Sequence, residues 1–330
     1  MTEKINAGLD VGSETLVLAL ITQDKPLPPK TFENTKQGRS SLLKFLKKQN
    51  SLVRLCLEAT GVYSIDIALI LYQCDFVELM VVNPRAAKDF SRSLMRRTKT
   101  DLGDALMLAE YAKRMPFIPY TPPDKAAFQL RCLSRRIHAL KKNRTQEKNR
   151  LHALNATKES SKFVKSDIEA HLKQLNKRIE SLEKAALKLI ESSPALKNKF
   201  KLLLSVAGIG KVSAISILGE LCLFPEEMDV RQWVAYAGLD PKKNESGKFV
   251  GKETISRQGN KFLRHALFMP ALVVSCKNEQ IKKYYNKLLE RGKAAKQALT
   301  AIMRKLLHAI FGVFRTNTSF DVNKCFSIAC

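Results

Sequence analysis

The stretch Met95–Ala109, MRRTKTDLGDALMLA, decides how the rest of the chain is read. Asp101 and Asp104 stand three residues apart at the start of an expected helix, behind Arg96, Arg97 and Lys99. At about 3.6 residues per turn, positions i and i+3 share a face, so both carboxylates point the same way. Leu102, Ala105, Leu106, Ala109 and Ala112 form the neighbouring apolar stripe, which puts the acids at the edge of the buried face. Two carboxylates held together repel unless a cation sits between them, and Mg²⁺ favours such oxygen ligands. The same residues also suit a purely structural role, in which Thr98 or Thr100 caps the helix and the acids sit at its positive end.

Toward the N-terminus, residues 5–22, INAGLDVGSETLVLALIT, read as a strand, a Gly-containing turn and a second strand. Asp10 falls at the end of the first strand. An acid in so apolar a setting is costly unless paired or metal-bound; alternatively it shapes the turn. A short basic helix over Ser40–Lys48 follows, then a buried strand Val53–Leu57 ending in Glu58, which repeats the position of Asp10 before another Gly-containing turn. A helix at Tyr63–Tyr72, a strand at Glu78–Val82 and a helix start at Pro84 lead into the Arg- and Lys-rich segment 85–99. Strands alternating with helices up to about residue 115 indicate an α/β domain.

The proline-rich run Pro116–Pro123 marks a boundary. Beyond it, Leu133, Ile137, Leu140, Leu151 and Leu154 follow a heptad, with Arg144 and Glu147 in two of its core slots. Thr157–Ser166 interrupts the pattern. Ile168, Leu172, Leu175, Ile179, Leu182, Ala186 and Leu189 then alternate by four and three, as in a coiled coil. Such a segment closes on itself as an antiparallel hairpin or zips to a second subunit; a hairpin arm that also dimerises is expected. Leu202–Leu221 places two apolar segments around Gly208–Ile209–Gly210–Lys211. This helix-hairpin-helix pattern brings backbone N–H groups to a phosphate with Lys211 beside them, or else is a tight turn between helices. Phe224–Gly238 reads as a helix with Trp233 and Tyr236 in the core. Gly238–Asn260 is loop-like, and Lys242, Lys243, Lys248, Lys252 and Arg257 surround Ser246. A serine so placed could contact phosphate or act as a nucleophile; it could also be an ordinary surface serine. Helices are expected at Lys261–Ser275 and Lys293–Arg315.

Lys and Arg number 57 against 31 Asp and Glu in 330 residues, a net charge of +26. Internal pairing cannot neutralise that excess, so nucleic acid is the expected partner, ahead of an anionic membrane. No apolar run approaches the ~20 residues that span a bilayer, and the start of the sequence lacks a signal-peptide pattern. The seven cysteines are scattered without CxxC or a zinc-finger partner, which suggests core thiols in a reducing cytosol.

The order D…E…DxxD, from Asp10, Glu58, Asp101 and Asp104, resembles the RuvC branch of the RNase H-like fold. GLDVG at 8–12, LEATG at 57–61, VNP at 82–84, RRTKTDLGDA at 96–105, AGIGKVSA at 207–214, AGLDP at 237–241, ESGK at 245–248 and ISRQGNKFLRHAL at 255–267 extend that likeness. Together they resemble the insertion sequence 110 family of DEDD transposases, which includes the Piv/MooV-type DNA invertases. The resemblance implies an α/β RuvC-type domain over 1–123, a coiled-coil arm over 124–198 and a mainly α transposase domain over 199–330. It implies a cytoplasmic, nucleoid-associated recombinase that moves a mobile element, with donor and target DNA chosen by a structured bridge RNA. Asp10, Glu58, Asp101 and Asp104 would hold two Mg²⁺ ions, replaceable by Mn²⁺. Ser246 would attack the DNA phosphate and carry a phosphoserine intermediate, with Ser256 in reserve. Nucleic acid would meet Arg96, Arg97, Lys99, Gly208, Gly210, Lys211, Lys243, Lys248, Arg257, Asn260 and Arg264, and the arm would build a dimer or tetramer. Family members often carry two serines followed by two glycines, whereas this chain has Glu245–Ser246–Gly247–Lys248, which places an acid beside the nucleophile. Rival readings are an RNA-independent invertase of the Piv type, a Mg²⁺-dependent RuvC-like junction nuclease, and a catalytically silent nucleic-acid scaffold.

Overall fold

A computed structural model describes residues 4–321 except 24, 60, 62, 96–99, 158, 226, 243–244, 247–248 and 252–253. The chain divides into two units, Met1–Pro122 and Pro123–Cys330.

In the first unit, β1 (Ile5–Val11) runs antiparallel to β2 (Thr15–Thr22), which also pairs with the short β3 (Lys25–Pro26) and β4 (Lys30–Glu33). After α1 (Lys36–Lys47), β5 (Val53–Glu58) lies parallel to β1. Helix α2 (Tyr63–Tyr72) then connects to β6 (Val77–Val82), parallel to β5. The sheet order β3-β2-β1-β5-β6, antiparallel on one side of β1 and parallel on the other, is consistent with an RNase H-like domain. Two helices follow, α3 (Pro84–Ser93), capped by Asn83, and α4 (Asp101–Arg114), capped by Thr100.

Strand alternation splits this sheet into two faces. Ala7, Leu9, Leu55 and Leu57 enter one core with Leu42 and Leu46 of α1 and Ile67 and Leu71 of α2. The other face receives α4: Val17, Ala19 and Ile21 meet Ala105 and Ala109, and Cys56 and Met80 meet Met107 and Leu108. Alanines on α4 permit a close approach, and Gly8 completes it. A Cβ at Gly8 would overlap the backbone of Ala105 and Ala109. Leu102, expected in the buried stripe, is instead 51% exposed.

The second unit opens with α5 (Lys125–Asn155) and α6 (Lys162–Ser192), each of 31 residues. Lys141 pairs with Glu183 and Arg144 with Asn176, so the two helices run antiparallel. Next come α7 (Pro194–Ser205), α8 (Lys211–Leu221) and α9 (Val230–Ala237). The serine segment forms β7 (Pro241–Lys242), β8 (Glu245–Ser246), β9 (Phe249–Val250) and β10 (Thr254–Ile255), and three helices end the unit: α10 (Lys261–Lys277), α11 (Glu279–Glu290) and α12 (Ala295–Thr316). Leu130, Ile137, Leu175 and Ile179 of the long helices share one core with Trp233, Ile302 and Leu306. The long pair is thus continuous with the helices after it.

Several expectations need correction. Helix α9 begins only at Val230, because Asp229 and Gln232 form a capping box there. Helix α11 has no counterpart among the expected elements. Trp233 is buried but Tyr236 is 40% exposed. Of the cysteines, Cys56 is buried while Cys132 and Cys276 are exposed; burial pushes the Cys56 and Cys222 thiols up to about 12. Among the described residues, no helix is long and apolar enough to cross a membrane.

Candidate active site and nucleic-acid interface

Register places the first two acids side by side. Leu9 of β1 pairs with Leu57 of β5, so the next residues, Asp10 (one before the end of β1) and Glu58 (the last of β5), follow that pair on adjacent parallel strands. Asp10 shares the face of Gly8, and Glu58 that of Cys56; both of those residues contact α4. Thr100 Oγ1 accepts from Gly103 N at 3.1 Å and fixes the start of α4, so Asp101 and Asp104 lie in its first turn. With Ala105 seated over Gly8, that turn comes to the edge carrying Asp10 and Glu58.

The electrostatics follow from this convergence. The Asp10 carboxyl is raised from 3.8 to about 6, first by burial, then by the charges of Asp101, Asp104 and Glu58, against one lowering hydrogen bond from the backbone of Val11. Among the described residues, no three Asp, Glu, His or Cys side chains meet closely enough to grip an ion as they stand. Charge acts over several ångströms, whereas Mg²⁺ bonds require ~2.0–2.1 Å, so ligation needs these oxygens closer together than they stand. The donor set itself fits a divalent cation: hard oxygens only, with an acid whose raised pKa a bound cation would relieve. The capping role considered for Thr100 is real, with Asp101 and Asp104 in the first turn that it caps.

Ser246 lies exposed on β8, opposite Phe249 of β9. Two residue pairs of the β7–β10 ladder, Lys242 with Thr254 and Pro241 with Ile255, close the segment at its base. Ser256 then ties the neck: its N donates to Asp240 O at 2.9 Å and its Oγ to Asp240 Oδ1 at 2.5 Å, while Gln258 N donates to the same Oγ at 3.3 Å. The reserve serine is therefore occupied on both sides. Lys243 and Lys248 lie outside the described residues, as do Arg96, Arg97 and Lys99.

Other expected nucleic-acid contacts are divided. Gly208 has φ 79° and presses on Pro270 and Val274 of α10, so its conformation serves packing. Gly210 has open space around it and caps α8 without a side-chain bond, beside the exposed Lys211. Asn260 is committed internally: Oδ1 accepts from Phe262 N and Leu263 N, and Nδ2 donates to Glu220 Oε2. Arg264 donates to Ala237 O at 2.8 Å, and Arg257 is exposed with φ 52°. Glu220, whose side chain is 1% exposed, also takes both arms of Arg135 at 2.8 and 2.9 Å. Sequence reasoning passed over Glu220 and Asp240. An acid inside the apolar helix KVSAISILGEL is itself a signal of a buried pair.

A mixed sheet consistent with an RNase H-like domain, carrying Asp10 and Glu58, with Asp101 and Asp104 in the first turn of the helix packed on it and a mostly helical unit after it, fits the class of DEDD DNA recombinases. A family model for DEDD transposases of IS110, described as "Transposase", matches residues 7–155, and one described as "Transposase IS116/IS110/IS902 family" matches 200–286. The chain is 31% identical over 324 residues to a pilin gene-inverting protein of Moraxella lacunata, covering 96% of this chain and 98% of that protein. The same figures hold for the pilin gene-inverting protein of Moraxella bovis. An insertion element IS110 protein of Streptomyces coelicolor is 27% identical over 162 residues, 48% of this chain and 38% of its own length. The chain belongs to the IS110 family of transposases and is a DNA recombinase. Its DEDD domain implies dependence on a divalent metal, and its substrate is DNA.

Proposed function

We propose that this recombinase cuts and rejoins DNA through a metal site of Asp10, Glu58, Asp101 and Asp104 and through Ser246 as nucleophile. The observation that carries the reading is the placement of Asp10 and Glu58 on adjacent strands with Asp101 and Asp104 in the first turn of the helix seated over Gly8, a convergence that raises the Asp10 carboxyl to about 6. All-oxygen donors suit Mg²⁺, with Mn²⁺ as substitute. Two such ions, when bound, activate an attacking oxygen and stabilise a leaving one.

Ser246 is favoured over Ser256 because its side chain is exposed while that of Ser256 is engaged by Asp240 and Gln258. Attack forms an Oγ–phosphorus bond and breaks one P–O bond of the DNA. The departing strand leaves as a hydroxyl, carrying a proton equivalent to the one Oγ gives up. The phosphoserine keeps the bond energy, so rejoining requires no ATP. Lys242 and Arg257, both exposed near the loop, would offset the charge that Glu245 adds beside the phosphate. Gly210 and Lys211 at the start of α8 would contact a backbone phosphate. Such contacts give affinity without sequence choice. A structured bridge RNA pairing with donor and target would supply that choice. A dimer or tetramer assembled through α5 and α6, acting in the cytoplasm on the nucleoid, would join acids and serine from different subunits.

The test is covalent trapping of labelled DNA on a denaturing gel. Ser246→Ala should remove the trapped species; if strand cleavage persists unchanged in that variant, the protein is a hydrolytic nuclease and the assignment fails. A second reading, inversion of a DNA segment without RNA, is favoured by the match to nearly the whole length of the pilin gene-inverting proteins. Sequencing of copurified RNA separates the two, since only the guided enzyme should retain one defined structured species.

A further inference from the structure

On α5, Arg131, Arg135, His138 and Lys142 recur at intervals of four, three and four residues, so they share one face. At a rise of 1.5 Å per residue this stripe is ~16 Å long. Beside it, α10 contributes Lys261 and His265, one turn apart. The His138 ring meets that of His265 edge-on with centroids 4.5 Å apart, and that of Phe262 at 5.2 Å. Arg135 lies 4.6 Å over the Phe262 ring and Lys261 5.4 Å from its centre. Phe262 thus serves as an apolar floor on which cations are mounted.

The charges around His138 do not balance. From its own helix it faces Lys142, and from α10 it faces Lys261 and His265. The acid nearby is Glu220 of α8, which is buried and already bound by Arg135 and Asn260. Helix α5 holds nine Lys and Arg and a single acid, Glu147. Among the described residues, no ion pair engages Arg131, Lys142 or Lys261. Burial, then His265, Lys142 and Lys261, hold His138 below the ordinary imidazole pKa. Cations crowded on one surface without a counter-charge are the imprint of a polyanion that belongs there. Its identity follows from chain continuity: α10 begins six residues after Ile255, at the foot of the serine hairpin. The polyanion that comes to this place is the DNA being cut.

We propose that the α5–α10 face bearing Arg131, His138, Lys142, Lys261 and His265 seats the DNA phosphate backbone beside the cleavage point, and that His138 gains a proton as the DNA docks. The choice of DNA over RNA rests on the serine reading above; the surface itself does not. A phosphate against the His138 ring favours its charged form. The proton comes from solvent, so affinity rises as pH falls.

The experiment uses the full chain, a fluorescein-labelled 30-base-pair duplex (roughly three helical turns), EDTA and fixed ionic strength. Wild type should bind about tenfold more tightly at pH 6 than at pH 8, the effect of one pKa unit on a coupled group. The double variant His138→Gln, His265→Gln should lose most of that ratio, falling to about twofold. Lys142→Glu, on an exposed side chain that spares the fold, should weaken binding about tenfold and reduce the salt slope by about one. A full pH ratio retained in the double variant overturns the proton-linked contact. Unchanged duplex affinity in Lys142→Glu, with loss only for an RNA hairpin, overturns the assignment to DNA. Covalent trapping that survives Ser246→Ala would fell the nucleophile alone, and it is read on a gel, separately from these affinities.

Discussion

The acids and the serine are held in opposite ways. Asp10, Glu58, Asp101 and Asp104 stand on two central strands and a capped helix, locked together by backbone contact at Gly8. Ser246 rides on two-residue strands above a neck tied by Ser256 and Asp240. The difference reflects cost. Clustered carboxylates repel, so a fold that gathers them must enforce the arrangement through its core. An uncharged hydroxyl carries no such penalty and need only be delivered.

This contrast can be broken by experiment. Asp104→Asn should lower strand cleavage by roughly 10²–10³-fold or more while leaving duplex affinity nearly unchanged; a variant that simply unfolds would make the acids structural. Gly8→Ala forces α4 away from β1, and calorimetry should show a loss of about 1–3 kcal/mol confined to the first unit. Asp10→Asn should do the reverse. Because the folded carboxyl titrates near 6 against 3.8 unfolded, the folded chain holds this proton more tightly. The metal-free protein therefore has this contribution in full below about pH 4 and loses it as pH rises through 6. Asp10→Asn should remove that decline and stabilise the metal-free protein by ~1–2 kcal/mol at pH 7, measured by urea unfolding in EDTA. Smallest is Ser256→Ala, which leaves Asp240 solvated and the neck loosened: ~1 kcal/mol of stability and slower, not absent, covalent trapping, measured as a time course.

Much of the acid region was legible because its signals are local. Strand periodicity around Asp10 and Glu58, Thr100 before the helix and the i, i+3 spacing of the aspartates are all short-range. What placed the two pairs together is not local: it is the register of β1 with β5 and the room made by Gly8, which a motif shows only as a glycine. In the second unit the internal partners were hidden for the same reason. Asn260 looked available because its partner Glu220 lies 40 residues away, and Gly208 looked like a phosphate contact because its neighbour Pro270 belongs to another helix. His138 and His265 are separated by most of the unit, so no spacing rule links them. Helix α11 was missed between two stronger amphipathic segments, since its stretch EQIKKYYNKLLE buries only Ile281 fully.

The most direct test of the central claim is a calorimetric titration of the full chain with Mn²⁺, comparing wild type with Asp10→Asn and Asp104→Asn at matched folding. If the four acids form one metal site, wild type shows saturable binding that each substitution weakens by at least tenfold or abolishes. Equal binding in all three proteins would contradict it.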